Sequence, residues 1–353
     1  MNMQCHKAEN SDAVPRVPSV VAMPLSGVYS AVVAARNLAY DRLPALSRKL
    51  DRPVISVGGI RAGGTGKTPA ALLVGRYVQE VCGCGVAFLS RGYGRRTGKQ
   101  VIVEPNGKAE WRETGDEPCM LHRNLPGSWL GIGADRTAVA RSLSRLMPEK
   151  SVFILDDGFQ RRQTRRDLDI VCLSESVLRD RLMPAGDLRE PLSELARADI
   201  LFIIGTEERV SALREVEASL PVAEKTAVLL QYPHSWVEAR TGETRTDPPY
   251  RAPVAVTGIA RPGRFADMLR SLSVEPLRVH NFRDHYNFKK NDIAPLVHNI
   301  YSNGMVTTEK DAVRLLSPEF AFLRDIWYLK IGLRFADPSK ESQILSDIKT
   351  FFS

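Results

Sequence analysis

Cysteine is scarce in this chain of 353 residues, and the five present, Cys5, Cys82, Cys84, Cys119 and Cys172, are an odd number. A chain of this length can bury a core without covalent staples, so a disulfide framework is excluded and a reducing, cytoplasmic setting is expected. Cys82-Gly83-Cys84 has the wrong spacing for a zinc knuckle, and no second Cys/His pair lies nearby. The sequence has no low-complexity block and no internal repeat, which excludes repeat architectures. No apolar run is long and uninterrupted enough to span a bilayer. Residues 1–17 lack the basic-then-apolar layout of a secretory signal and are expected to form a disordered lead-in.

What is present is an ordinary soluble composition with an excess of positive charge. The hydrophobic set is 43%, charged residues are 25% and the net charge is +8, so anionic partners are favoured. Nucleic acid, an anionic membrane surface and a phosphorylated substrate all fit that charge. The length points to two domains, because a single core rarely grows past roughly 250–300 residues. Leu25, Val28, Tyr29, Val32, Val33, Ala35, Leu38, Leu43 and Leu46 recur at helical spacing, with Arg36, Arg42, Arg48 and Lys49 among them. Pro24 and Ser26 mark a helix start, and Pro44 a kink or break. Two readings follow from the pattern: a helix lying in a membrane interface, or an ordinary helix packed on the first domain.

The strongest local signal is Pro53-Val54-Ile55-Ser56-Val57, then Gly58-Gly59-Ile60-Arg61-Ala62-Gly63-Gly64-Thr65-Gly66-Lys67-Thr68-Pro69, then an apolar helix. Strand, glycine-rich loop, Lys-Thr and helix form the context of a phosphate-binding loop. Backbone N–H groups of Arg61, Ala62, Gly63, Gly64, Thr65, Gly66, Lys67 and Thr68 would curl around ATP phosphates, aided by the helix N-terminus. Lys67 would neutralise phosphate charge and Thr68 would ligate Mg²⁺. The strict pattern has its first glycine where Arg61 stands.

A second strand, Ser151–Leu155, ends on Asp156 and Asp157, which suit a metal and its waters. Gly115-Asp116-Glu117-Pro118 in isolation reads as a turn. His285 lies among aromatic and charged residues in Asn281-Phe282-Arg283-Asp284-His285-Tyr286-Asn287-Phe288, where a structural role and a catalytic one both remain open.

Taken together the motifs are more specific. Gly-Gly-Thr-Gly-Lys-Thr-Pro at 63–69, Ser-Arg-Gly-Tyr-Gly at 90–94 and Gly-Asp-Glu-Pro at 115–118 are followed by Asp-Asp-Gly-Phe-Gln at 156–160 and Arg-Asp-Leu-Asp-Ile at 166–170. Pro-Ala-Gly-Asp-Leu-Arg-Glu-Pro at 184–191, Phe-Arg-Asp-His at 282–285 and Thr-Glu-Lys-Asp-Ala-Val at 308–313 complete the order. This set resembles the tetraacyldisaccharide 4'-kinase family over about residues 20–340. The resemblance implies transfer of the γ-phosphate of MgATP to the 4'-hydroxyl of a tetraacylated glucosamine disaccharide 1-phosphate, giving lipid IVA. It also implies a peripheral enzyme on the cytoplasmic face of the inner membrane, which favours the interfacial reading of residues 25–50.

By the same resemblance Asp116 is the catalytic carboxylate and His285 its partner, with Lys67 on the phosphates. Thr68, Glu117, Asp156 and Asp157 would surround Mg²⁺ and the phosphoryl group, Arg189 and Glu190 would contact the disaccharide lipid, and Arg91 would guide phosphates. Three positions depart from the family pattern: Arg161 and Tyr286 stand where histidines are usual, and Gly59 replaces a common asparagine. The basic run Arg161-Arg162-Gln163-Thr164-Arg165-Arg166 suits the lipid 1-phosphate, anionic headgroups or solvent. No aromatic platform is interleaved with it, which argues against nucleic acid. No obligate protein partner is evident.

The expected fold is α/β: a P-loop NTPase-like, largely parallel sheet with flanking helices, a smaller second α/β domain and an N-terminal amphipathic helix. The expected divisions are 1–17, 18–50, 51–240 and 241–353, with a turn-rich linker at 239–252. Expected strands are 53–57, 86–90, 151–155, 169–173 and 200–204, and expected helices 68–81, 134–147 and 191–198. Asp116 and His285 fall on different domains, so hinge closure is expected to assemble the site. Rival readings are a kinase of a soluble small molecule and a nucleotide-dependent switch. The switch requires a guanine-specifying Asn-Lys-x-Asp, which Thr308-Glu309-Lys310-Asp311 matches poorly.

Overall fold

A computed structural model describes residues 19–220 and 225–351, so the lead-in expected at 1–17 lies outside the described residues. Short apolar and β-branched runs build one sheet. In chain order its strands are β1 (Val54–Gly58), β2 (Gly85–Ser90), β3 (Val101–Val103), β4 (Trp129–Ile132), β5 (Ser151–Asp156), β6 (Leu168–Leu173) and β7 (Ile200–Thr206). There follow β8 (Thr226–Glu238), β9 (Thr244–Arg245), β10 (Val254–Thr257), β11 (Arg278–Asn281), β12 (Met305–Thr308) and β13 (Ile326–Phe335). They lie in the order β11-β10-β12-β13-β8-β7-β6-β1-β5-β2-β4-β3, with β9 on β8. Among the named strands, antiparallel pairing is confined to β13 with β8, β8 with β9 and β3 with β4.

The strands at the centre are buried along their whole length, as parallel strands covered on both faces must be. β1 lies between β5 and β6. The chain leaves β1 toward β2 on one side, returns in β5, and crosses to β6 on the other. That reversal opens a crevice at the carboxyl ends of β1 and β5, where open α/β sheets hold ligands. The expected strands are found as β1, β2, β5, β6 and β7, and two of the expected helices as Lys67–Glu80 and Arg136–Ser144. The third, at 191–198, is a 3₁₀ helix, Leu192–Arg197, anchored in the core through Leu195. Six residues are too few to sustain an α-helix by local bonds, and the tighter turn suits such short pieces.

The seam at 239–252 joins elements that are not independent. β8 runs for 13 residues, pairing with β7 through its first part and with β13 along most of its length. β13 then carries the chain back, and the final helix Pro338–Thr350 packs Ile344 and Ile348 with Phe335 into the same core as Val74, Phe88 and Phe202. Residues 51–240 and 241–353 are therefore a proposed division that must accommodate one exchange, the return of the last helix to the first half.

The N-terminal helix Ser19–Arg42 starts ahead of Pro24, which lies inside it, and the break expected at Pro44 is a 3₁₀ turn at Pro44–Leu46. The helix survives Pro24 because its packed face is tied down elsewhere. Ala22 and Val33 are buried, Ser26 donates to the Leu182 carbonyl, and Tyr29 donates to the Arg189 carbonyl. Its other face exposes Val21, Met23, Leu25, Val28, Val32 and Leu38. No helix among the described residues is long and apolar enough to cross a membrane.

Ile344→Ala should destabilise the chain by about 2–5 kcal/mol, the range for truncating a fully buried aliphatic side chain. Urea unfolding followed by core tryptophan or circular dichroism is the check. A loss within about 0.5 kcal/mol would mean that the last helix is not part of the first-half core.

Candidate active site

The site begins at Gly58, the last residue of β1. A Cβ there would lie 2.6 Å from both Cβ and N of Phe159, so the 158–159 segment can cross close over the strand end only if residue 58 is glycine. The loop then rises to Gly66, whose left-handed backbone (φ 78°) starts the helix Lys67–Glu80 without a side-chain cap. Its first N–H groups thus point free of protein acceptors into the crevice, as anion-binding helix ends do.

Arg61 explains how the loop manages without its usual first glycine. It forms a bridge with Leu188 and has no left-handed backbone, so no glycine is required there. Its guanidinium is held by Asp180, by Asp187 at 2.7 Å and by Ser176 at 3.3 Å, and the Ala62 N–H donates to the Asp187 carbonyl at 2.9 Å. The Arg61 guanidinium and the Ala62 N–H thus buttress the loop against the segment that carries Asp180 and Asp187.

Three carboxylates converge on that crevice. The Thr68 hydroxyl is 3.5 Å from a Glu117 oxygen, the Ser90 hydroxyl donates to Asp156 at 3.3 Å, and Lys67 lies 3.7 Å from Asp157. Arg189 reaches the other oxygen of Asp157 at 2.8 Å. Asp157 has a left-handed backbone (φ 51°), as does His285 (φ 55°). Such strain costs on the order of 1 kcal/mol or more per residue and persists where surrounding contacts enforce it. Burial alone would raise the pKa of Asp157, but Lys67 and Arg189 outweigh it and lower the net value. Asp156 behaves oppositely: burial, then Glu117 and Asp157, push it up to about 7.

Asp116 opens the helix Asp116–Asn124 and is only 4% exposed. Arg314 forms a short ion pair with its Oδ2, and His285 Nδ1 lies 3.0 Å from the same oxygen. Burial would raise its pKa; the His285 hydrogen bond, then Arg314 and Lys310, outweigh this and hold it well below the usual carboxylate range. The side chain is ionised at any working pH. The sequence pairing of Asp116 with His285 is thus realised as a contact between residues 169 positions apart.

Two expected substrate residues separate. Arg189 sits at the crevice on Asp157, and Arg91 is exposed near it. Glu190 is fully buried and accepts from Arg36, Asn37, Gln160 and Arg197. It faces no open space, because a carboxylate removed from water needs every one of these donors. Its role is to tie the N-terminal helix to the loop, since Gln160 also donates to the Gly59 carbonyl at 3.0 Å.

Three site residues escaped sequence reading. Arg136 is buried with Nε and Nη1 lacking hydrogen-bond partners, and burial followed by Arg161 lowers its pKa to about 10 while Asp156 and Asp157 counteract. Lys310 bonds Glu117, Asp284 and His285, and Arg314 holds Asp116. Lys310 and Arg314 stand four apart on one short helix, a spacing that places two cations on one face. That spacing was the available signal.

Comparison with known proteins gives a consistent result. Residues 19–349 match the family described as tetraacyldisaccharide-1-P 4'-kinase. A tetraacyldisaccharide 4'-kinase of Aquifex aeolicus is 34% identical over 303 residues, covering 85% of this chain and 91% of the relative. One of Chlorobium luteolum is 35% identical over 309 residues, covering 84% and 87%. A crystal structure of the Aquifex aeolicus protein, described as an "apo" form in complex with ATP, superposes with a TM-score of 0.78 at 30% identity, covering 94% of this chain and 99% of that one.

The raised pKa of Asp156 has a consequence for stability. An unfolded carboxyl titrates near 3.9, so between about pH 4 and about pH 7 the folded state binds one more proton than the unfolded one. Stability therefore falls as pH rises through that window. Asp156→Asn should abolish this fall, measured by urea unfolding without divalent cations at pH 5 and pH 8. Equal pH slopes for both proteins would show that Asp156 is not the responsible group.

Proposed function

The chain belongs to the tetraacyldisaccharide-1-P 4'-kinase family, and from that premise we propose how its residues carry out the family's reaction, transfer of the γ-phosphate of ATP to the 4'-hydroxyl of a tetraacyldisaccharide 1-phosphate in lipid A biosynthesis. The observation that supports the assignment of roles is the ion-paired, buried Asp116 beside the phosphate-binding loop, linked to it by the contact of Glu117 with Thr68.

Residues 63–68 receive the ATP phosphates, with Lys67 as the neutralising cation. Arg136, Arg189, Arg91 and Arg161 line the same side and stabilise negative charge on the transferred group and on the acceptor's own phosphate. Asp116 accepts the hydrogen bond of the attacking 4'-hydroxyl and orients it. A carboxylate this acidic is a weak base toward a resting alcohol. It takes the proton late, once bonding to phosphorus has made the sugar oxygen acidic. His285 and Arg314 keep its charge and orientation fixed.

Mg²⁺ fits the residues present. Thr68, Glu117 and Asp156 offer hard oxygen donors, and the upward shift of Asp156, which comes from burial and then from Glu117 and Asp157, is one that a bound cation would relieve. No three His, Cys, Asp or Glu side chains among the described residues form a metal site by themselves. That agrees with Mg²⁺ taking one or two carboxylates with phosphates and waters. We propose Thr68, Glu117 and Asp156 as its ligands, with Asp157 beside them; the ion would supply charge neutralisation at the phosphates.

The outward apolar stripe Val21, Leu25, Val28 and Val32, with exposed Arg42, Arg48 and Lys49 at its end, supports docking on an anionic bilayer at the cytoplasmic face of the inner membrane. Arg36 takes no part, being paired with Glu190.

The deciding experiment is transfer of labelled γ-phosphate from ATP to a tetraacyl disaccharide 1-phosphate in detergent, beside an acyl-free acceptor. Label on the lipid alone is expected; label on neither, with ATP still bound, would point to a different acceptor. Asp116→Asn should lower kcat about 100-fold or more while the KM for ATP stays within about threefold. A raised KM with unchanged kcat would remove Asp116 from the chemistry. Replacing Val28 and Val32 together by Glu should reduce co-sedimentation with anionic vesicles about tenfold or more, the buried apolar area being the main source of binding; undiminished binding would rule out this face.

A further inference from the structure

The helix Glu309–Leu315 is fixed at its start with unusual completeness for seven residues. Thr308 caps it by accepting from the Asp311 N–H at 3.2 Å. Asp311, fully buried, accepts from the Gly258 N–H at 2.9 Å, from the Thr257 hydroxyl at 3.2 Å, from the Thr308 hydroxyl at 2.6 Å and from Arg314 at 3.1 Å. The helix is thus nailed to the carboxyl end of β10, and the bases of Lys310 and Arg314 are fixed in space.

From there Lys310 Nζ reaches three acceptors: His285 Nε2 at 3.0 Å, Asp284 Oδ1 at 3.1 Å and Glu117 Oε1 at 3.3 Å. An ammonium has three N–H donors and no acceptor, so each partner must accept. Nε2 of His285 is therefore the unprotonated nitrogen. Nδ1 then carries the proton, and it donates to Asp116 Oδ2, which can only accept. Arg314 Nη2 lies 3.4 Å from Nδ1, but that is donor against donor; its acceptor is Asp116. Burial works against the charge on Lys310, while Glu117, Asp116 and Asp284 outweigh it and raise its pKa, so the ammonium persists.

We infer that Lys310 is a positioning residue for phosphoryl transfer, fixing His285 in the Nδ1–H tautomer that aims at Asp116 while pinning Glu117 of the first half to Asp284 of the second. The inference rests on the assignment of Asp116 above and deepens it. It also limits what the imidazole does: with Nε2 occupied by Lys310, His285 orients Asp116 and relays no proton through that nitrogen.

The test uses the full chain in detergent, labelled with ¹⁵N-histidine, with His285→Ala to assign one of the six histidines. Wild type should show the Nδ1–H tautomer at His285. Lys310→Met should shift His285 toward a mixture of tautomers and lower kcat about 100-fold, with the KM for ATP within about threefold. Lys310→Arg should keep the tautomer and recover part of kcat. Lys310→Leu, which likewise has no donor, carries the same measurement if Lys310→Met does not fold, and ATP affinity reports folding in every case. An unchanged His285 spectrum in the Met or Leu variant overturns the inference. So does a raised KM for ATP with kcat intact, which would make Lys310 a phosphate ligand. If wild type transfers no phosphate to the lipid, the functional reading fails, while the tautomer measurement still decides the role of Lys310.

Discussion

A carboxylate that is almost fully buried and still ionised can exist only where opposite charge and donors surround it, and Asp116 is such a group. It comes from the first half of the chain. Its partners His285, Arg314 and Lys310 come from the second. The two halves must therefore meet at this point in any folded state that keeps Asp116 buried. Other contacts across the seam follow the same line: Trp111 donates to Ser317 at 2.8 Å and Arg112 pairs with Glu319 at 2.7 Å, just ahead of the Asp116 helix. The exposed pair Arg112–Glu319 adds little by itself. The buried network around Asp116 is where removal of one partner leaves an uncompensated charge, and so where the seam is strongest.

The same principle, applied with the opposite sign, shapes the other end of the crevice. Asp156 is buried with like charges beside it and holds its proton up to about 7, whereas Asp157, one residue on, is kept ionised by Lys67 and Arg189 despite its burial. Neighbouring carboxylates on one strand end thus differ in proton affinity because of what each faces. A phosphate-handling site gains from this asymmetry: one carboxylate is already committed to cations of the protein, and the other has negative charge that a cation would relieve. The left-handed backbone of Asp157 and of His285 places the local strain at two residues that face the crevice.

The N-terminal helix illustrates how one apolar pattern fits two readings, a helix packed on the core and a helix laid on a membrane interface. Helical spacing of apolar residues normally predicts the side turned to the core. Here Val21, Leu25, Val28 and Val32 point outward, and the packed side is held by Ser26, Tyr29 and Asn37 through polar contacts with 182–190 and Glu190. An apolar face left outside while polar groups are turned in is costly in water, which is why it supports docking on a lipid surface. The link through Glu190 and Gln160 to Gly59 joins that helix mechanically to the phosphate loop.

The central strands and the Lys67–Glu80 helix were legible in the sequence because period, β-branched runs and glycine placement are local properties of the chain. Asp156, Asp157 and Lys67 were legible for the same reason, as strand ends and a loop motif. The resemblance of ordered motifs pointed to Asp116 and His285, which neither one's local context could have paired. Other features depended on contacts between distant segments, and no local pattern encodes those. The return of Phe335, Ile344 and Ile348 to the first core, the buttressing of Arg61 by Asp180 and Asp187, and the burial of Glu190 are of this kind. So is the conversion of Lys310 and Arg314, two unremarkable cations on a short helix, into the partners of Asp116 and His285. The sequence by itself determined which segments become strands, where the phosphate loop turns and which family of chemistry the chain carries. Only the tertiary structure decided which charges meet, because ion pairing and proton affinity depend on distance and burial, quantities that exist only once the chain has closed on itself.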